Sequence, residues 1–350
     1  MPFLRNAWYV AAWDNELEAE SLFARTLLGE SVLFFRDDMG QVRAVSNRCP
    51  HRFAPLNMGT RIPNGVRCAY HGLEFNGLGE CIHNPHGNGS IPKAAVLKSY
   101  KVIEKYSAIW IWMGDAAVAN PELIPDFQFN DPEQYIVGKR YLRACANYVL
   151  ETDNIMDLSH IQYLHPGTLG TGNVSQATIE IQQEGDTVWS KRLVHAELLP
   201  DFLYEANNIP RGTLVDRWID VRWDAPANMV LYVGAVPAGK LVEPRVGRAI
   251  THHFTPETET TTHYWFANSY PKEMGEEGVK RAEAHIEGLN RPFTDEDLPM
   301  LEGQQRMMGS ADFWTLKPIL LPSDAAAVRA RRILDRRIAQ EQAALLPQEA

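Results

Sequence analysis

Two short pairs, Cys49-x-His51 and Cys68-x-x-His71, stand sixteen residues apart in this chain. Ligands one or two residues apart can grip one metal centre from one loop, and a second such loop closes the site. Half of the four cysteines are spent here. Zinc accepts two thiolates and two imidazoles tetrahedrally. Zinc fingers, however, usually place like ligands together, whereas each loop here carries one Cys and one His. A [2Fe–2S] cluster with two thiolates on one iron and two imidazoles on the other fits that mixture. Pro50 stiffens the first loop, and Gly72 permits close backbone approach after His71.

The surroundings of these pairs read as short strands. "SVLFFRDDMGQVRAVSN" carries a hairpin signal at Asp37–Gly40, and "YSAIWIWMGD" is a strand ended by Gly114 and Asp115. Asn120-Pro121 and Ile124-Pro125 form a connection to a different pattern. "NYVLETDNIMDLSHIQYL" has helical spacing. Three strand-rich stretches follow, "TVWSKRLVHAEL", "WIDVRWDAPANMVLYVGAVPA" and "RAITHHFTPETETTTHYWFANSY", the last two split into hairpins by Pro/Asn and Pro/Glu turns. "EEGVKRAEAHIEGLN", "DLPMLEGQQRMMG" and "SDAAAVRARRILDRRIAQEQAALL" are helical, the last with an Arg-rich face expected in solvent. The fold class expected is α+β, with an all-β domain over residues 1–118 and a second domain over 119–350 holding an antiparallel sheet flanked by helices.

A length of 350 residues suits two domains. No run approaches the 18 apolar residues that a membrane span needs, and the N-terminus turns acidic too soon for a secretory signal. Four cysteines make no disulfide framework, which places the chain in the reducing cytoplasm. A net charge of −10 argues against nucleic acid and anionic membrane as partners. Cys81 and Cys145 are expected to be inert core thiols.

A cluster module needs little more than 100 residues, so the chemistry should lie beyond it. Two histidines and a carboxylate form the set that leaves positions open on Fe(II). His160 and His165 are candidates. Five residues apart, they would point about 140° away from each other on a regular helix. Pro166 allows the helix to end between them, since the residue before proline leaves the α region. Asp153, Asp157 and His160 follow at helical spacings on one expected face. The downstream stretch "FTDEDLPMLEGQQ" offers Asp295, Glu296, Asp297 and Glu302. Some of these could equally be helix-start carboxylates, with Thr294 as cap and Pro299 in the first turn.

"CPHRFAPL" and "CAYHGLEF" closely resemble the cluster loops of bacterial Rieske non-haem iron oxygenases. Respiratory Rieske proteins carry an extra cysteine in each loop; Ala54 and Tyr70 stand in those neighbourhoods here. "D-x-x-D-x-x-H-x₄-H" from Asp153 to His165 resembles the same family, as do "RNAWYVAAW", "HNPHGNG" and "TPETETTTHYWF". These features are most similar to the vanillate O-demethylase, dicamba O-demethylase and arylsulfonate methyl-monooxygenase group. The resemblance implies Cys49, His51, Cys68 and His71 as ligands of one [2Fe–2S] cluster, and His160, His165 and Asp297 as ligands of one Fe(II), with Asp295 second to Asp297. It makes Asp157 an inter-subunit electron bridge in a homotrimer and puts Asn154 beside it among the catalytic residues. His83 and His86 are expected to be structural hydrogen-bonders near the cluster.

Its implied activity uses O2 to hydroxylate a methyl or methoxy carbon of a small aromatic acid, O-demethylation with release of formaldehyde above all. Methyl hydroxylation of an arylsulfonate, N-demethylation and ring hydroxylation remain open, as does a plain electron carrier. No G-x-G-x-x-G follows a strand and opens a helix, "GTLGTGNVS" being the nearest approach, so a separate NAD(P)H-dependent flavin or ferredoxin-type reductase is expected.

Overall fold

The structure, a computed structural model, describes residues 3–245 and 247–345. Arg5–Ile124 together with Thr255–Glu259 form one compact unit. Phe3 and Leu4, Pro125–Phe254 and the chain from Thr260 onward form the other.

The first unit holds two sheets. Six strands run in the order Trp8–Trp13, Ala108–Trp112, Ser99–Lys105, Val42–Ser46, Glu30–Arg36 and Phe23–Leu27. The hairpin at Asp37–Gly40 forms as expected: Asp37 Oδ1 accepts from the N–H groups of Met39 and Gln41, and Gly40 takes a φ of +76°. Trp110, Phe34 and Phe35 are fully buried between neighbours. The smaller sheet, Thr60–Ile62, Gly65–Arg67, Glu74–Asn76 and Cys81–His83, carries the two Cys/His loops. Its core includes Cys49, Cys68, Leu56, Val66 and Phe75.

In the second unit a seven-stranded antiparallel sheet runs Tyr135–Ala144, Thr261–Pro271, Arg248–Thr258, Asn228–Pro237, Val215–Asp224, Thr187–Glu197, Thr178–Glu184. The turn in the hairpin of the two strands Arg248–Thr258 and Thr261–Pro271 falls at residues 259–260, and Pro256 lies inside a strand. The helices are α1 (Tyr148–Met156), α2 (Ile161–Leu164), α3 (Asp201–Asn207), α4 (Gly275–Arg291), α5 (Leu298–Met308) and α6 (Ala325–Leu345). In α4 the residues Ala282, His285, Ile286 and Leu289 are buried at i, i+3, i+4 and i+7, the stripe that packs on Tyr135–Ala144 and Thr261–Pro271.

Three expectations need correction. The helical stretch from residue 147 is broken: Asp157 leaves the helical region at φ −116°, ψ 90° and caps the next turn, Leu158–His160, by accepting the Ser159 N–H. Asp153, Asp157 and His160 therefore share no single helical face. Nor does α5 begin a fresh helix with Thr294 as cap, because a π-helical turn, Pro292–Asp297, runs straight from α4 into α5. Finally, α6 is no merely solvated helix. It buries Ala327, Ala330, Leu334 and Ile338, and with them Arg331, which lies over the Phe313 ring and bonds Asp153 through Nε and Nη2.

Gly79 shows how tightly the small sheet is tied. At φ +86° its Cβ position lies 2.2 Å from the backbone oxygen of Leu97, whose N–H donates to Gly79. Gly79→Ala should cost about 2 kcal/mol or more, since strain and a backbone clash combine. Gly40→Ala, with a similar φ but open space, should cost only about 1 kcal/mol. Thermal melts followed by circular dichroism check the ranking.

Candidate metal centres

The two Cys/His loops are built alike. The Cys49 N–H donates to Ala54 O and Phe53 N–H to Cys49 O; the Cys68 N–H donates to Leu73 O and Gly72 N–H to Cys68 O. The fourth residue after each cysteine is left-handed, Phe53 at φ 61° and Gly72 at φ 73°. Glycine takes that conformation freely, and Phe53 holds it within the same bonded turn. Both thiols are buried, and burial pushes the Cys49 thiol up. The His51 and His71 rings stand 4.4 Å apart between centroids at the surface. Two buried thiols with two outward imidazoles fit a cluster whose histidine-bound iron faces solvent. His86 Nε2 lies 2.8 Å from His71 O, as expected of a nearby hydrogen-bonder, while the His83 ring is exposed. Cys81 packs beside this core, but Cys145 is exposed and is no core thiol.

In the second unit, one ligand atom each from His160, His165 and Asp297 lies within 4.8 Å of the others. Asp297 Oδ1 is 3.3 Å from His165 Nε2 and 3.5 Å from His160 Nε2. The far ring nitrogens are already engaged, His160 Nδ1 with Asp157 O at 2.8 Å and His165 Nδ1 with Glu296 Oε2 at 2.6 Å. Such bonds fix both imidazoles with Nε2 toward a common point, as metal-binding histidines require. The set fits Fe(II) with open positions. His165 ends α2 at φ −112°, ψ 42°, out of the α region before Pro166, which turns it back toward His160.

The π turn explains the carboxylates. Consecutive residues of a regular α-helix point about 100° apart. Here the widened turn brings Glu296 to one nitrogen of His165 and Asp297 to the other, while Asp295 is exposed. Glu302 and Gln305 serve a different end: their side-chain oxygens accept the backbone N–H groups of Cys145 and Asn147, which lead into α1. Asn154 Nδ2 donates to Asp297 Oδ1 at 3.0 Å. Asp157 reaches His160 through its backbone carbonyl; its carboxylate accepts from Arg192 Nη2 at 3.2 Å.

Electrostatics around the triad follow burial. Burial lowers His160, outweighing the raising influence of Asp297 and the bond to Asp157. For His165 burial also pushes down, but Asp297 and Glu296 outweigh it and the net shift is up. Glu151, buried with Oε1 unpaired, is raised to about 8 by burial first and then by Asp297 and Glu302. A cavity of about 70 Å³ opens beside the triad, lined by Ile155, Leu158, Leu231, Ile250 and Phe293 among others. His252 also lines it: fully buried, it bonds Tyr264 OH through Nδ1 at 2.8 Å and leaves Nε2 unpaired. Burial lowers its pKa to about 3, so it is neutral at physiological pH.

Sequence reasoning missed Glu296 as orienter, Arg192, Arg331 and His252. A carboxylate beside a candidate ligand was the only available signal, and it pointed to Glu296 as one of four acids.

An iron–sulfur loop pair in one unit and a two-histidine, one-carboxylate pocket in the other define the layout of a Rieske-type oxygenase. The family described as the Rieske [2Fe-2S] domain matches residues 7–101, and the vanillate O-demethylase oxygenase C-terminal domain matches residues 144–340. The iron–sulfur subunit of a toluene-4-sulfonate monooxygenase system from Comamonas testosteroni is 38% identical over 99% of this chain and 100% of its own. The oxygenase component of dicamba O-demethylase from Stenotrophomonas maltophilia is 36% identical over 96% of this chain and 98% of its own. The crystal structure of dicamba monooxygenase bound to 3,6-dichlorosalicylic acid superposes with a TM-score of 0.89 at 34% identity, covering 98% of this chain and 100% of that one. This chain belongs to the vanillate O-demethylase family of Rieske oxygenases and carries that family's [2Fe–2S] domain.

Glu296→Gln should keep a hydrogen bond at His165 Nδ1 while removing the negative charge behind it. Iron held by the triad should then bind about 10–100-fold more weakly, with the cluster absorbance unchanged. Iron measured against acid-labile sulfide across a chelator titration checks this.

Proposed function

We propose that this protein is the terminal oxygenase of a two-component system, oxidising a methyl or methoxy carbon of a small aromatic acid in the cytoplasm. The observation that carries the proposal is the convergence of His160, His165 and Asp297 at the edge of a largely apolar cavity. In this reading Cys49, Cys68, His51 and His71 hold the [2Fe–2S] cluster, and the triad holds one Fe(II). A crystal structure of dicamba monooxygenase with non-haem iron and dicamba, 32% identical over 99% of this chain, supports that assignment.

When bound, the two centres supply single electrons and the activation of O2; the protein supplies position and dryness. For a methoxyarene the balance is ArOCH3 + O2 + 2 e⁻ + 2 H⁺ → ArOH + HCHO + H2O, the hydroxylated methyl leaving as formaldehyde when its C–O bond to the ring oxygen breaks. Ile155, Leu158, Ile250 and Phe293 pack the ring and exclude water. His252 is placed to donate or accept at a polar substituent through Nε2. Asn154 holds Asp297 by its Oδ1, the oxygen that faces both histidines. The electrons come from a separate NAD(P)H-dependent reductase docking at the exposed His51 and the half-buried His71 beside it.

Asp157 passes the electron between neighbouring subunits of a homotrimer. It borders a concavity lined by Asp153, Met300, Met307, Ile319 and Leu320, of which Ile319 is 90% and Met307 87% exposed. Apolar side chains so exposed beside an acid favour burial against a second copy.

Reconstitution with a reductase should yield formaldehyde from methoxybenzoates or a benzylic alcohol from methylarenesulfonates. A lack of oxidised product from methoxy-, methyl- and N-methylarenes alike would overturn the oxygenase assignment. His160→Ala should keep the red-brown cluster absorbance and abolish turnover. Asp157→Asn should retain both metals yet slow cluster reoxidation by orders of magnitude in rapid mixing with substrate and oxygen; normal reoxidation in an intact trimer excludes the relay.

A further inference from the structure

The cavity beside the triad is largely apolar, with Asn154, Asn207, Arg217, Arg248, His252 and His285 as its polar lining outside the triad. Arg248, Ile250 and His252 alternate along one strand and line it together. In register, Arg248 stands opposite Val233, Val233 opposite Ile219, and Ile219 opposite Arg192. These four residues share one face of the sheet. Two residues on that face serve as landmarks: His252, which lines the cavity with the triad, and Arg192, which holds Asp157, the residue whose carbonyl bonds His160. Arg248 is four residues from the first, about 13 Å along the strand, and three strands from the second, about 14 Å across. It occupies the far corner of the cavity.

Among the described residues no carboxylate pairs with the guanidinium there. Nη1 donates to Ala206 O, the last turn of α3, and Nε is buried without a partner. The guanidinium also hydrogen-bonds the neutral Tyr270 hydroxyl, and the other charge acting on it is the like charge of Arg281. The adjacent cavity residue His285 is neutral, lowered to about 3 by burial and then by Arg248 itself. Arg217, which also lines the cavity, differs in having Glu197 as counter-ion at 3.9 Å. Arg248 is half-buried with its Nε enclosed, and a cation so placed without a counter-charge is costly unless something anionic meets it.

We propose that Arg248 is the specificity-determining anchor for the acid group of the substrate, a carboxylate or sulfonate, held at the far end of the ring from the carbon that is oxidised. The proposal rests on the oxygenase reading above and gives its substrate a direction. An arene with its methyl or methoxy group para to the acid, extended by the arginine side chain, spans the interval between triad and corner. An ortho acid places its charge beside the triad and leaves Arg248 unmet. Toluene-4-sulfonate, which appears in the name of a relative, has the para arrangement.

The test is calorimetric binding to the metal-loaded protein without reductase, using 4-methoxybenzoate, 2-methoxybenzoate, 4-methylbenzenesulfonate and neutral 4-methylanisole. The parent protein should bind the two para acids at least 10-fold more tightly than the ortho acid or the neutral arene, and the stronger of the two separates carboxylate from sulfonate preference. Arg248→Met should weaken the para acids by about 30-fold, the size of a lost charge-assisted hydrogen bond, and leave 4-methylanisole unchanged. Arg248→Lys should recover part of the loss. Equal affinity of the parent for para acid and neutral arene overturns the proposal, even if Arg248→Met fails to fold; so does unchanged para-acid binding in a folded Arg248→Met. Turnover is read separately with reductase. Oxidation of neutral arenes without acid preference defeats the anchor and spares the oxygenase, whereas Arg248-dependent acid binding without any turnover does the reverse.

Discussion

His165 is gripped at both ring nitrogens by consecutive carboxylates, Glu296 at 2.6 Å and Asp297 at 3.3 Å. Both carboxylates are carried by the π turn that joins α4 to α5. The rest of the pocket is arranged to keep this contact in place. Thr168 donates to Glu296 Oε2 and to His165 O, tying the loop after Pro166 to the same carboxylate. Glu302 and Gln305, one and two turns further along α5, hold the backbone that starts α1. The helix bearing Asp297 thus also positions the helix bearing Asn154.

Charge pairs then fix α1 and the turn that follows it. Arg331 of α6 takes Asp153, and Arg192 of the sheet takes Asp157. Both arginines are buried, so neither bond is a screened surface pair, and removing either acid would strand a cation. The break at Asp157 lets its carboxylate turn to Arg192 while its carbonyl holds His160. A continuous helix would have spent that carbonyl on its own ladder.

The two units meet opposite physical demands. A centre that accepts electrons from another protein has to be near the surface, and His51 and His71 lie there above buried thiols. A centre that oxidises a bound ring has to be dry, and Asp297 and His165 are buried beside an apolar cavity. Among the described residues no helix is long and apolar enough to cross a membrane.

The two Cys/His loops stood out in the sequence because their chemistry is local. A Cys and a His within three residues, twice, need no tertiary information to suggest a shared centre, and the Asp37–Gly40 turn and the strand patterns announced a β module in the same way. His160 and His165 could be named because Pro166 visibly ends a helix. Asp297, by contrast, was one acid of four, separated from the others only by resemblance. What raises it above Asp295 is burial, which a π turn decides and no side chain in "FTDEDLPM" signals. Arg331 read as a surface residue because helical spacing says which residues share a face, while which face meets Asp153 is a matter of packing. The same holds for Arg248 and His252. In the sequence they are two polar residues of a β strand; only the packing of helices over that face of the sheet makes both line one cavity. Local chemistry along the chain determined what kind of centres this protein builds. Long-range packing decided which charges are buried, and therefore where a substrate can lie, because the cost of burying a charge depends on every element that closes around it.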